Sequence, residues 1–356
     1  MSVSTRRMAL FSAFALLIAA TLVFAPPLKA QDGVVNTPPP ASDSPQDDPQ
    51  APEQTDTVLK SRVSVVQVYF NVKDKHGALI PGLTKGDFDV LEDGKPQTIK
   101  YFSAESDQAL TLGILIDTSG SQERVLGMEK EMGGLFLDRI LRDKDQAFVM
   151  NFDINVELAQ DFTNSKKLLK AALEKTKINT GAGSCGGLPG LGGGPVPCSS
   201  TGPRGTLLYD AVYLSAHDML YKEVGRKALI LLTDGEDQGS RIKIREAIEI
   251  AQKANTICYV ILAADRGFYG GGGFYTGASD MSKMASETGG RMIDAGNKPD
   301  KLRDAFDQIA QELRSQYNVG YTPTNTTADG GFRKLEIKSK GDYKIQARKG
   351  YYATQQ

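Results

Sequence analysis

Two apolar segments that each end in an aspartate limit the folds this chain can adopt. The first, 110–116, is rich in Leu and Ile and is followed directly by Asp117. The second, 228–232, is followed by Thr233 and Asp234. Continuous apolar runs of this length are typical of strands that are buried on both faces of a sheet. Because ligands bind at the carboxyl ends of strands in an open α/β sheet, we expect both aspartates at a ligand-binding edge.

The pattern around these two segments predicts the fold class. From residue 107 to residue 316, apolar strand-like segments alternate with amphipathic helical segments. This alternation predicts an α/β fold, a doubly wound and mostly parallel sheet with helices on both faces. The first helix should bury apolar residues spaced by three or four positions, namely Val125, Met128, Met132, Leu135, Phe136 and Ile140.

Strand-like segments without helices flank this region on both sides. Residues 58–106 and 317–356 contain short alternating strands separated by tight turns such as Glu92-Asp93-Gly94. Neither group has enough strands and apolar surface to fold alone. We therefore expect them to pack together as a small antiparallel β layer beside the α/β domain.

The amino terminus has the features of an export signal. Arg6 and Arg7 precede an apolar stretch, and Leu28-Lys29-Ala30 is compatible with a cleavage site, so residues 1–30 are predicted to be a signal peptide. An uncleaved signal anchor is the alternative, because the stretch borders on membrane-spanning length. Residues 31–57 are rich in Pro, Ser, Asp and Gln and are predicted to be a disordered linker. We expect an exported protein, periplasmic or secreted.

Export permits disulfides, and the chain contains three cysteines. Cys185 and Cys198 flank a loop rich in Gly and Pro and are expected to form a bridge, whereas Cys258 lies in an apolar strand and is expected to be buried. A second Gly-rich loop, 266–275, carries four aromatic residues, which suit a contact with a partner. The formal net charge of −1 gives no electrostatic reason to expect a nucleic acid partner.

Oxygen-bearing side chains at three separate places predict a metal site. Asp117, Ser119 and Ser121 follow the first apolar strand, Thr206 begins a helix, and Asp234 follows the second strand. Carboxylate and hydroxyl oxygens without nitrogen or sulfur are ligands for hard cations, Mg²⁺ first, with Mn²⁺ and Ca²⁺ as alternatives. The competing interpretation is that Asp117 caps the next helix and the serines are ordinary turn residues.

The order Asp117-x-Ser119-x-Ser121, then Thr206, then Asp234 resembles the metal-ion-dependent adhesion site of the von Willebrand factor type A domain. The resemblance implies that the three hydroxyls bind the cation directly and that the two aspartates act largely through bound water. It also implies an open coordination position, which an Asp or Glu carboxylate of a partner protein would fill. The implied function is a binding module and not an enzyme.

Two alternatives remain open at this point. One is a metal-assisted hydrolase that acts at the same edge, and it is disfavoured because no base or nucleophile accompanies the aspartates. The chain has only two histidines, His76 and His217, and it contains no Gly-x-Ser-x-Gly nucleophile motif. The other alternative is a structural component of an envelope complex that binds no metal.

Overall fold

The computed structural model describes residues 65–104, 107–179, 205–264 and 277–353. All of them belong to one compact unit, Ser61–Gln356. The predicted signal peptide and the predicted linker lie outside the described residues. So do the predicted bridge between Cys185 and Cys198 and the aromatic loop 266–275.

The elements follow one another in three blocks. The first block contains the strands β1 (Val66–Lys73), β2 (Phe88–Glu92), β3 (Lys95–Gln97) and β4 (Ile99–Ser103). The second block alternates strands and helices: β5 (Leu110–Asp117), α1 (Leu126–Ile140), β6 (Gln146–Phe152), β7 (Val156–Thr163), α2 (Lys166–Lys175), α3 (Leu208–Leu214), β8 (Arg226–Thr233), α4 (Ile244–Lys253), β9 (Thr256–Leu262), α5 (Gly277–Thr288), β10 (Met292–Asp294) and α6 (Pro299–Arg314). The third block contains β11 (Tyr317–Tyr321), β12 (Phe332–Ser339), β13 (Lys344–Ala347) and β14 (Gly350–Tyr352).

A six-stranded sheet in the order β10-β9-β8-β5-β6-β7 occupies the centre of the second block. All neighbours are parallel except the edge strand β7, which runs antiparallel to β6. The predicted α/β fold with a doubly wound, mostly parallel sheet is therefore confirmed. The strands β5 and β8 are neighbours, and Ile116 lies opposite Leu232. This register brings the carboxyl ends of the two aspartate-bearing strands side by side.

Apolar residues cover both faces of this sheet. One buried cluster joins β5, β8 and β9 to α1, α2 and α6, and a second joins the opposite face to α3, α4 and α5. The backbone of β5 approaches its neighbours so closely that a Cβ at Gly113 would lie 2.4 Å from the Phe148 ring. One predicted core position was wrong: Leu135 of α1 is 54% exposed, whereas Leu137 is fully buried.

The flanking strands form the expected antiparallel β layer, which is divided into two four-stranded sheets. Their orders are β13-β1-β11-β4 and β14-β12-β2-β3, so strands from both ends of the chain occur in each sheet. Both sheets contribute to one apolar core, in which Phe70 packs edge-on against Phe88 at a centroid distance of 5.0 Å. The prediction that the first and last strands of the described chain combine is confirmed.

Glu312 of α6 connects the two parts of the structure. Its carboxylate, only 2% exposed, lies 2.8 Å from Lys73 Nζ of β1 and 2.7 Å from Arg291 Nε. It also accepts a hydrogen bond of 2.9 Å from Gln346 of β13. One buried carboxylate therefore binds the β layer to the last helix of the α/β part. No helix within the described ranges has both the length and the apolar character needed to cross a membrane.

Candidate metal site

The turn that follows β5 brings the first three predicted ligands together. Asp117 is fully buried at the end of β5, and its Oδ1 accepts a hydrogen bond of 3.0 Å from the Ser119 N–H. The Ser119 and Ser121 hydroxyl oxygens lie 3.0 Å apart, and both residues are partly exposed. Two hydroxyls thus converge nearer the surface, while the carboxylate lies deeper.

The competing interpretation of Asp117 as a helix cap does not fit this geometry. Helix α1 begins at Leu126, and its N-cap residue is Val125, which provides no capping side chain. The Asp117 carboxylate instead accepts bonds from the Ser119 N–H and from the Thr233 hydroxyl. Asp117 therefore organises the edge of the sheet and not the start of the helix.

Thr233 joins the two strand ends that carry the aspartates. Its hydroxyl donates a bond of 2.8 Å to Asp117 Oδ2 and accepts one of 3.0 Å from the Gly235 N–H. Asp234, 2% exposed, accepts a bond of 3.1 Å from the Glu236 N–H through its Oδ1. Gly235 has a φ of +86°, which disfavours any residue with a side chain. No sequence pattern indicated the bond from Thr233 to Asp117, because it joins two strand ends that are 116 positions apart.

Backbone hydrogen bonds hold the Thr206 segment at the same edge. The Thr206 N–H donates to the carbonyl of Gln238 at 3.0 Å, and the Gln238 N–H returns a bond of 2.9 Å. The next residue, Leu207, donates its N–H to the carbonyl of Asp153 at 2.7 Å. The Asp153 carboxylate in turn accepts the Thr118 hydroxyl at 2.7 Å. Thr206, 7% exposed, is thus connected both to the loop after β8 and to the turn after β5.

Asp210 and Asp237, the other acidic residues near these loops, have structural roles. Asp210 accepts hydrogen bonds from the backbone N–H groups of Arg241 and Ile242. Asp237 accepts one from the Tyr209 N–H at the start of α3. Both carboxylates therefore accept backbone hydrogen bonds that stabilise the loops around Asp234.

Asp117 and Asp234 place two buried carboxylates at the same edge of the sheet. Burial and the nearby charge of Asp234 together raise the pKa of Asp117 from 3.8 to about 7, although hydrogen bonds from Ser119 and Thr233 oppose the shift. Burial and a like charge nearby both disfavour the ionised form of Asp117. A cation bound at this edge would favour the ionised form of Asp117 and so oppose this shift.

Two buried polar side chains lie next to the turn after β5 and bear on whether a cation fits there. Gln122 and Glu129 are fully buried, and among the described residues neither side chain has a hydrogen-bond partner. A buried polar group without a partner costs about 1–3 kcal/mol, so both residues favour a polar ligand at this place. Within the same ranges no cluster of three or more His, Cys, Asp or Glu side chains is arranged to hold a metal ion. The donor set of hydroxyls and aspartates fits a hydrated, hard divalent cation.

A polar cavity of about 390 Å³ opens beside the Thr118 side of the turn. Its lining includes Asn151, Asn155, Lys175 and Lys177 together with the carboxylates of Asp153 and Glu157. The cavity gives the predicted metal edge a neighbouring surface with amide and ammonium donors.

No family model and no curated protein matches the chain. Among solved structures it is similar to the conserved hypothetical protein BatB from Bacteroides thetaiotaomicron, with 17% identity over 58% of this chain and 100% of that chain and a TM-score of 0.42. It is also similar to proximal thread matrix protein 1 from the mussel byssus, whose described form has a zinc-occupied MIDAS motif, with 16% identity over 63% of this chain and 50% of that chain and a TM-score of 0.44. The vWF domain of the pilus tip protein Mfa5 from Porphyromonas gingivalis matches with 13% identity over 58% of this chain and 95% of that chain and a TM-score of 0.42. Similarities this low carry no argument about what the chain binds.

Proposed function

We propose that this chain, which has the fold class and the motif order of a von Willebrand factor type A domain, is an exported protein that binds a partner through a divalent cation. The observation that carries the proposal is the hydrogen bond of 2.8 Å between Thr233 and Asp117. It fixes two buried aspartates at one edge, next to two partly exposed serine hydroxyls that lie 3.0 Å apart. Neutral oxygens nearer the surface and negative charge at greater depth suit a cation that must also accept an outside ligand.

The roles proposed for the five residues follow from the resemblance to the metal-ion-dependent adhesion site. Ser119, Ser121 and Thr206 would hold the cation through their hydroxyls, and Asp117 and Asp234 would supply charge through bound water. Mg²⁺ fits this set best because it retains several water molecules, and Mn²⁺ and Ca²⁺ accept the same oxygen ligands. A cation whose nearest ligands are neutral remains electrophilic and can bind a carboxylate.

A protein carboxylate, from Asp or Glu, is the proposed partner group. The neighbouring cavity carries two lysines and two carboxylates beside its amides, so it would favour polar residues of no particular charge next to that carboxylate. The formal net charge of −1 gives no electrostatic reason to propose a nucleic acid partner. Attachment to a membrane would come only from an uncleaved signal anchor. A periplasmic or secreted location remains a proposal from the sequence.

A binding role is favoured over hydrolysis because neither histidine is placed beside the aspartates. His76 lies in the turn after β1, and His217 stacks on Tyr213 at a ring distance of 5.3 Å. The His217 segment, Ser215–Leu220, precedes the start of β8, whereas Asp234 follows the end of that strand. General acid–base chemistry by histidine at the metal edge is therefore not supported.

Selection from a displayed library of random peptides tests this function directly. With Mg²⁺ present, we expect the wild-type chain to enrich peptides that share an Asp or Glu, because a charged carboxylate binds a hard cation more strongly than the neutral oxygens of a peptide do. Binding should disappear when EDTA is added and when Ser121 is replaced (Ser121→Ala). The matched control is Ser286→Ala on α5, an exposed serine remote from this turn, which should leave binding unchanged. Peptides that bind equally well in EDTA and need no acidic residue would contradict the proposal.

A further inference from the structure

We propose that Glu129 is a third carboxylate of the metal centre and that Gln122 supports it from the same buried face. The inference rests on the proposed function, because it assigns further residues to the same cation. Neither residue belongs to the motif Asp117-x-Ser119-x-Ser121.

The backbone aligns these two side chains behind the serine turn. Gln122 is the last residue of the short 3₁₀ turn that contains Ser121. The Val125 N–H donates to the carbonyl of Gln122 at 3.0 Å, and the Glu129 N–H donates to the carbonyl of Val125 at 3.0 Å. These bonds place Gln122, Val125 and Glu129 one above another along one face. All three residues are fully buried, so that face is directed into the protein.

The surroundings of Glu129 are unsuited to a residue that serves packing alone. Both of its carboxylate oxygens and both polar atoms of Gln122 are buried without a hydrogen-bond partner in the described part of the chain. Burial, together with the charges of Asp117 and Asp234, holds the pKa of Glu129 well above its usual range. An apolar side chain of similar volume would stabilise this position better. The free-energy cost of burying the Glu129 carboxylate is explained if its negative charge attracts a cation at the same edge.

Glu129 would act at longer range than the hydroxyls. The described residues contain no direct ligand cluster made of carboxylates, so Glu129 is assigned a positioning role. With Gln122 it would order the water molecules bound to the cation and add negative charge behind Asp117 and Asp234. Residues that act on metal ligands in this way typically change metal affinity about 10- to 100-fold.

Calorimetric titration of the Glu129→Gln variant with Mg²⁺ and with Tb³⁺ tests the assignment. Glutamine keeps the size of the side chain but removes its ability to carry charge, so we expect Mg²⁺ affinity to fall about 10- to 100-fold. The loss should be larger for Tb³⁺, because the electrostatic attraction grows with the charge of the cation. The melting temperature of the metal-free protein should rise at neutral pH, because glutamine removes a buried carboxyl whose raised pKa destabilises the folded state. Glu129→Asp, which keeps the charge, should retain more affinity than Glu129→Gln.

The matched control is Glu312→Gln, another fully buried glutamate that contacts Lys73 instead of the metal edge. It should lower stability and leave both metal affinities unchanged. If the wild type binds Mg²⁺ and Glu129→Gln binds it equally well, the inference is wrong while the proposed function stands. If the wild type binds neither cation, both are wrong. A lower melting temperature without a change in affinity would assign Glu129 to packing.

Discussion

Replacing Asp117 with asparagine should stabilise the metal-free protein at pH 8 by about 4 kcal/mol and abolish the stabilisation by Mg²⁺. The pKa of Asp117 is raised from 3.8 to about 7, first by burial and then by the charge of Asp234. At about 1.4 kcal/mol per pKa unit, this difference corresponds to about 4 kcal/mol. Asparagine keeps an oxygen that can accept the Ser119 N–H, so the turn should persist while the charge is lost.

The sign of the pH dependence follows from proton binding. Between pH 4 and pH 7 the folded protein holds the Asp117 proton more tightly than the unfolded chain, so the free energy of unfolding falls as the pH rises. The benefit of Asp117→Asn should therefore be small near pH 4 and largest above pH 7. Chemical denaturation of the wild type and of Asp117→Asn at pH 4, 6 and 8 in the presence of EDTA measures this difference in the free energy of unfolding.

Asp145→Asn is the matched control, and it should change the free energy of unfolding in the direction opposite to Asp117→Asn. It is also buried and lies beside β5, where its carboxylate accepts the Leu110 N–H at 2.9 Å. Burial alone would raise the pKa of Asp145, but hydrogen bonds from Arg142 and Leu110 outweigh burial and hold it below 3.8. Asp145→Asn should therefore destabilise the protein above pH 4. If Asp117→Asn also destabilised the metal-free protein at pH 8, the destabilising effect assigned to the ionised Asp117 carboxylate would be wrong.

Replacing Glu312 with glutamine should lower the free energy of unfolding by about 3 kcal/mol. The carboxylate of Glu312 contacts Lys73 at 2.8 Å and Arg291 at 2.7 Å, and its removal leaves two cations near the junction of the β layer and α6 without their shared partner. Burial lowers the pKa of Lys73, and the charge of Glu312 opposes that shift. Urea denaturation followed by circular dichroism provides the measurement.

Glu174→Gln is the control for Glu312, because Glu174 is 71% exposed and lies 3.9 Å from Lys130. Exposed pairs of this kind contribute about 1 kcal/mol or less. Adding Lys73→Met to Glu312→Gln should recover part of the lost stability, since it removes one of the two cations that lost the Glu312 carboxylate. An effect of Glu312→Gln no larger than that of Glu174→Gln would show that the junction does not depend on this carboxylate.

The sequence predicts those features that depend on local pattern. Continuous apolar runs identified β5 and β8, and the position of Asp117 and Asp234 after those runs placed both aspartates at one edge of the sheet. The period of three to four residues identified α1, but it selected Leu135 where the structure buries Leu137. Both leucines fit an amphipathic helix, and the packing of α1 against the sheet, α2 and α6 decides which of them is covered.

Other features depend on contacts between distant segments, so a pattern search could not find them. The bond from Thr233 to Asp117 requires that β5 and β8 be neighbours in register. Glu129 looks like an ordinary charged helix residue in the sequence, because its burial follows from packing and not from its own type. The division of the β layer into two sheets likewise arises from pairings such as Val66 with Tyr321, which are 255 positions apart.

Isothermal titration of Mg²⁺ into the wild-type chain and into the double variant Ser119→Ala, Asp234→Ala tests the central claim most directly. The two changes remove one hydroxyl from the turn after β5 and the carboxylate from the loop after β8, so they test whether separate segments form one site. We predict saturable binding at a single site in the wild type and no measurable binding in a double variant that remains folded. Equal binding by both proteins, or no binding by the wild type, would contradict a metal site formed by these residues.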